Sequence, residues 1–207
     1  MKVRLLAIIL LIGSLKSFIF GEGINFSLLD YISYIELGAF DSNDQDIKLV
    51  ADVYGYVTPA GNEYALVCAK QKGLKIVPII GYDLNENDIK HILEDTENYS
   101  IDVKVFQHFA FIANDQSGHI NVINIYHPDY PVEIDPIVDN IAISHNLFII
   151  GDVLYIASLD NGVLNNPEAE IDLFVYDISG PSQPQLMGTW NGKDNIDTPG
   201  TRNSIHD

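Results

Sequence analysis

Apolar side chains in this chain come in short runs separated by polar turns, and the runs recur in a fixed order. EYALVCAK (63–70), FAFIANDQ (109–116) and VLYIASLD (153–160) are each followed by a turn and a second apolar run. Those second runs are GLKIVPI (73–79), HINVINI (119–125) and IDLFVYDI (171–178). The runs are short and rich in β-branched and aromatic residues, which predicts strands, and no long stretch has the period of an amphipathic helix. Ahead of each pair stands an opening run, ADVYGYV (51–57), IDVKVF (101–106) or SHNLFII (144–150). After each pair comes a last one, VEIDPI (132–137) or QLMGTW (185–190), with KHILED (90–95) as the first unit's counterpart. KHILED reads equally as a strand or as one helical turn.

Register within the repeat is set by Ala69, Ala113 and Ala157, two equal steps of 44 residues. Asp102 and Asn146 each lie 11 residues before their alanine, and Asp52 takes this part in the first unit ahead of a longer turn, TPAGN (58–62). In two units a Pro-x-x-Pro turn, Pro128 to Pro131 and Pro181 to Pro184, precedes the last strand. Proline suits such a connection because it fixes φ and cannot donate to a ladder. A repeat of about 40–50 residues with several strands per unit predicts β-propeller blades. The expected fold is all-β: a partial propeller of about three four-stranded blades, over residues 49–95, 99–138 and 141–190. NFSLLDYISYIEL (25–37) predicts a strand leading into them, and DNGVLNNPEAE (160–170) an exposed loop inserted in the third unit. His206 and Asp207 match His145 and Asn146, so SIHD (204–207) reads as the start of a fourth blade. Rings of blades typically need about four to eight, so the count points to the N-terminal portion of a longer propeller.

At 47% hydrophobic and 19% charged residues, the chain has a globular composition. Its formal charge of −18 is unusual. Such a surface repels nucleic-acid phosphates and anionic lipid, so neither is an expected partner. Lys2 and Arg4 followed by LLAIILLIG (5–13) predict a secretory signal peptide over residues 1–21. The apolar run is shorter than the roughly 20 residues a span requires, so no membrane insertion is expected apart from this segment. Residues 22–207 then form the propeller domain of a secreted or cell-surface protein. Cys68 is the sole cysteine and sits in a strand pattern, where it reads as a small apolar core residue.

The opening runs converge if each blade's first strand faces a central channel. Asp52, Asp102, His145, Asn146, His206 and Asp207 then approach one axis. His145, His206, Asp207 and Asp102 are the candidate ligands for a divalent metal, the one cofactor the residues suggest. The competing reading has these groups hydrogen-bonding neighbouring strands, and repetition once per unit favours it. Asp83, Asn85, Asn87 and Glu94 match calcium-loop positions, but Asp88 replaces the required glycine and no flanking helices are expected, so the match is coincidental. His91, His108, His119 and His127 fall in turns or at strand edges and read as solvated. Asn25 and Asn98 begin glycosylation sequons. No nucleophile elbow and no phosphate-cradling loop is found.

ADVYGYV with NEYALVCAKQKGLKIV resembles the opening of the LVIVD-repeat propeller proteins called choice-of-anchor B. Asp52, Gly55, Tyr56, Glu63, Tyr64, Ala65 and Leu66 carry the likeness, while Tyr54 stands where tryptophan is usual. IDVKVFQHFAFIAND resembles the second repeat, SHNLFIIGDVLYIA the third, and the terminal IHD the start of the next. That family usually has an acidic residue before the Pro-x-x-Pro turn, as Asp177 does here, whereas Pro78 and Asn124 fill that place in the first two units. A propeller presents a broad rim of loops on a rigid scaffold, so the expected function is a binding or scaffold module for a protein or glycan, with no catalytic motif evident. The alternative is a metal-assisted hydrolase or lyase, with His145 and His206 as channel ligands.

Overall fold

The computed structural model describes residues 49–79, 88–94, 99–116, 118–139, 141, 143–158 and 171–191. Among the described residues, twelve strands form three four-stranded antiparallel sheets, each a meander in chain order. The first contains β1 (Asp52–Val57), β2 (Glu63–Cys68), β3 (Leu74–Pro78) and β4 (Lys90–Ile92). The second contains β5 (Ser100–Phe106), β6 (Phe109–Asn114), β7 (Ile120–Asn124) and β8 (Val132–Ile137). The third contains β9 (Ser144–Ile150), β10 (Val153–Ser158), β11 (Leu173–Asp177) and β12 (Gln185–Trp190). This is the all-β, partial-propeller architecture that the period implies, and KHILED supplies a short strand, not a helical turn. The signal segment, the lead-in run 25–37, the insertion and SIHD lie outside the described residues. Among the described residues, no helix is long and apolar enough to cross a membrane.

The repeat governs local geometry as well as strand order. Asp102 pairs with Ala113 and Asn146 with Ala157, and in both sheets the register then slips by one residue, at Ile101 and at His145. Such a bulge bends the strand and re-aims the residue beyond it, here Ser100 and Ser144. The β5–β6 and β9–β10 turns carry Gln107 (φ 55°) and Gly151 (φ 62°) at equivalent positions. Each Pro-x-x-Pro turn closes the same way, Tyr130 N–H to His127 O and Gln183 N–H to Gly180 O, both 2.8 Å. Its proline sits second in the turn, where its fixed φ is already suitable. Asn124 and Asp177 lead into these turns by accepting the backbone N–H two residues on, from Tyr126 at 2.9 Å and Ser179 at 2.7 Å. An amide oxygen thus does in the second sheet what the carboxylate does in the third. Pro136 lies in β8, an outer strand, where a missing N–H is tolerated.

Sheets stack face to face through two apolar layers. Tyr56, Leu66, Cys68 and Ile76 of the first sheet meet Val103, Ala110, Ile112 and Ile123 of the second. Phe109, Phe111, Ile120 and Val122 of the second meet Leu147, Leu154, Phe174 and Tyr176 of the third. Both faces of β6 and β7 are consequently buried almost throughout, and those of β2 and β3 are buried because Leu49 and Ile89 pack with Ala65, Val67 and Val77 on the side away from the second sheet. Cys68 is fully buried in the first layer, and that burial raises its thiol far above the usual range, so it is a core residue without nucleophilic character.

Candidate functional site: the first strands and the turn-bearing end

Strands β1, β5 and β9 open the three sheets and lie side by side, and their repeated polar positions link one sheet to the next. Asp52 Oδ2 accepts the backbone N–H of Val103 at 3.2 Å. Asp102 Oδ2 accepts that of Leu147 at 2.6 Å. Each acid therefore bonds the residue just after the matching position of the following sheet. Lys104 completes the cluster by donating to Asp52 at 3.2 Å, to Asp102, and to the Val103 carbonyl at 3.1 Å. A second tie runs beside it, where the Ser144 hydroxyl accepts the Asn114 N–H at 2.6 Å and donates to the Asn114 and His119 carbonyls.

These residues border a cleft of about 470 Å³, lined by Ala51, Asp52, Asp102, Lys104, Asn146, Phe148 and Tyr155 among others. Burial opposes ionisation of both acids. At Asp102 burial wins, aided by a hydrogen bond shared with Asp52, and its pKa is pushed up to about 6. At Asp52 burial is outweighed by the hydrogen bond with Asp102, the Val103 N–H and the Lys104 charge, which hold it below the ordinary carboxylate value. Burial also opposes the Lys104 charge, but Asp102 and Asp52 more than offset this and raise it. Two carboxylates thus face one ammonium, and a proton held on Asp102 makes the group neutral.

The candidate metal ligands are not gathered into one place by what is described. Asp102 is engaged by Leu147 and Lys104, while His145 Nδ1 lies 3.2 Å from Asp115 Oδ1. His206 and Asp207 lie outside the described residues. Among the described residues, no group of three or more His, Cys, Asp or Glu side chains is placed to hold a metal ion. Of the calcium-loop residues, Glu94 instead pairs with Lys75, and Asp83, Asn85 and Asn87 lie outside the described residues.

Two features escaped the reading of the sequence. The first is Lys75, fully buried in β3, whose ammonium meets Glu94 and His91 Nδ1, the latter at 2.8 Å. Burial lowers its pKa, and Glu94 only partly restores it. His91 is exposed, as expected, and is at the same time a partner of this buried charge and of Glu94, at 3.0 Å. A lysine inside an apolar strand followed by an acid 19 residues on was the available signal. The second is an aromatic group at one end of the second sheet. His108, in the β5–β6 turn, packs edge-on against Tyr126 at 5.2 Å, and Tyr126 against His127 at 4.8 Å. Tyr126 and Tyr130 are 47% and 81% exposed, too much for core residues. His108 and His127 are ring partners within this group and do not stand alone in solvent.

Three stacked four-stranded meanders with their first strands adjacent define a β-propeller-like protein. Residues 169–192, spanning β11 and β12, match the LVIVD repeat. No curated protein and no solved structure matches the chain.

Proposed function

We propose that this chain is part of a secreted or cell-surface propeller of the choice-of-anchor B type, which binds a protein or glycan through its turns and performs no catalysis. The observation that carries this reading is the exposed Tyr126 ring packed between His108 and His127, with the exposed Tyr130 tied to His127 through the backbone of the same turn. Rigid aromatic rings on turns, held by a packed sheet beneath, offer large contact area at low entropic cost. Sugar rings and apolar peptide segments both suit such a surface. The first-strand acids speak against channel chemistry, because Asp52 and Asp102 are spent on the neighbouring sheets and on Lys104.

A glycan array and a panel of extracellular-matrix proteins, probed with the purified chain and with a Tyr126→Ala/Tyr130→Ala variant, test the reading. Binding that disappears in the variant, with its melting temperature unchanged, supports it. Equal binding by both proteins, or no binding by either, overturns it.

A further inference from the structure

The turn-bearing end of the sheets is acidic as well as aromatic. Its described turns, 58–62, 107–108, 125–131, 151–152 and 178–184, hold no lysine or arginine. Carboxylates stand in or beside them instead: Glu63, Asp129, Asp152 and Asp177. Lys70 and Lys72 lie in the β2–β3 turn at the opposite end. The other lysines among the described residues, Lys75, Lys90 and Lys104, lie within strands. The chain as a whole carries a formal charge of −18, so this end concentrates a field that already attracts cations.

The aromatic surface also continues inward. Tyr56 and Tyr64 are paired across β1 and β2 at this end and pack with Ile123 and Ile125 of the second sheet, next to the turn that carries Tyr126. Burial raises both phenols. The neighbouring Tyr126 and Tyr64 add to the rise at Tyr56, and the Asp129 charge adds to it at Tyr64. Tyr126 and Asp129 therefore stand beside these two rings, at the seam between the first and second sheets. Tyr56 is only 5% exposed, and its hydroxyl has no hydrogen-bond partner among the described residues. A buried hydroxyl of this kind is one that a bound group can satisfy as the half-exposed Tyr126 shifts.

We propose that this end of the molecule binds a basic segment of a protein, with an arginine or lysine side chain lying against Tyr126 and Tyr130, its charge on Asp129, and a main-chain carbonyl reaching the Tyr56 hydroxyl. A cation over a tyrosine ring is attracted by the ring's quadrupole. Arginine suits the place better than lysine, because its planar fork both stacks on a ring and meets a carboxylate. A neutral sugar would use the rings and leave the field idle. The assignment rests on the reading of these turns as a binding surface and narrows their partner to one chemistry.

Two labelled peptides test it, one repeating Arg-Gly and one repeating Gln-Gly, each titrated with the full chain by fluorescence anisotropy. The Arg-Gly peptide is expected to bind and the Gln-Gly peptide not to, with affinity falling as salt rises from about 10 to about 150 mM. Tyr126→Leu, Asp129→Asn and Tyr56→Phe should each weaken binding by about twofold to fivefold at unchanged melting temperature. Asp135→Asn, at an exposed acid of β8, removes the same charge away from these turns and should leave the affinity unchanged. An equal loss in Asp135→Asn, which would make net charge the cause, overturns the proposal. So does full affinity in any of the three turn variants, or no binding of the Arg-Gly peptide. A neutral oligosaccharide bound by wild type and by Asp129→Asn, but lost in Tyr126→Ala/Tyr130→Ala, overturns it too while upholding the turns as a binding surface.

Discussion

Asp102 of the second sheet accepts the backbone N–H of Leu147 in the third through Oδ2, at 2.6 Å. The relationship repeats one sheet earlier between Asp52 and Val103. A buried donor left without a partner costs about 1–3 kcal/mol. This repeated bond therefore holds neighbouring sheets in register as well as adding stability.

Replacing Asp102 separates acceptor from charge. Asp102→Ala leaves the Leu147 N–H unsatisfied and is expected to destabilise the chain by about 2 kcal/mol in urea denaturation. Asp102→Asn keeps an acceptor oxygen, as Asn146 does at the equivalent position, and should cost well under half as much near pH 5.

Stability should also depend on pH through this residue. Asp102 has a folded pKa of about 6 against an ordinary value of 3.8, so between these values the native state holds a proton that the unfolded state has released. Its contribution is complete below the lower value and is lost as pH rises through the higher one. The wild type should therefore lose roughly 1–3 kcal/mol between pH 4 and 7 relative to Asp102→Asn. Asp52 has the opposite sign, because its lowered pKa contributes stability that disappears only as pH falls below the ordinary carboxylate range. Urea titrations of both proteins across pH 4–7 check the window; parallel curves would refute it.

Lys75 is a buried charge whose partners matter more than its presence. Lys75→Met removes the charge and fills a similar volume, so its stability should stay within about 1 kcal/mol of wild type. Glu94→Ala leaves the ammonium with only His91 and should cost more, on the order of 2 kcal/mol. The reverse ranking in thermal denaturation would show that the ion pair itself is the stabilising element.

Two turn positions make opposing predictions. Gly73 has φ 72°, and an added Cβ would stand 2.0 Å from the Ile92 carbonyl oxygen, which belongs to the backbone and cannot move aside cheaply. Gly73→Ala should destabilise by several kcal/mol and loosen β4, which hydrogen exchange would detect. Gln107 adopts φ 55°, where the third sheet uses Gly151, so Gln107→Gly should stabilise by about 0.5–1 kcal/mol.

Much of the fold was legible because it is local. Alternation in runs such as IDVKVF and FAFIAN marks strands, and short turns such as Gln107–His108 force antiparallel pairing between neighbours in the chain. Ala69, Ala113 and Ala157 then align the units. For Asp52 and Asp102, the reading that they hydrogen-bond neighbouring strands was available from their recurrence once per unit. The role of Lys104 was not, because its partners lie in two sheets and one of them is 52 residues away. Lys75 was missed because a lysine within a strand normally marks a solvent face, and only the packing of both faces of β3 buries it. The aromatic group was missed because His108 and Tyr126 sit in different turns, which only the antiparallel ladder brings to one end.

The sequence by itself determined the strands, their order and the repeat of the sheets, since hydrophobic alternation, turn residues and spacing act over a few residues at a time. Only the tertiary structure decided which polar groups meet: Asp52 with Val103, Asp102 with Leu147 and Lys104, Lys75 with His91 and Glu94. It also decided that Phe148, Ile150 and Met187 of the third sheet are left more than half exposed. Those outcomes depend on how successive sheets stack, and stacking is settled by contacts between residues far apart in the chain, whose partners no local pattern names.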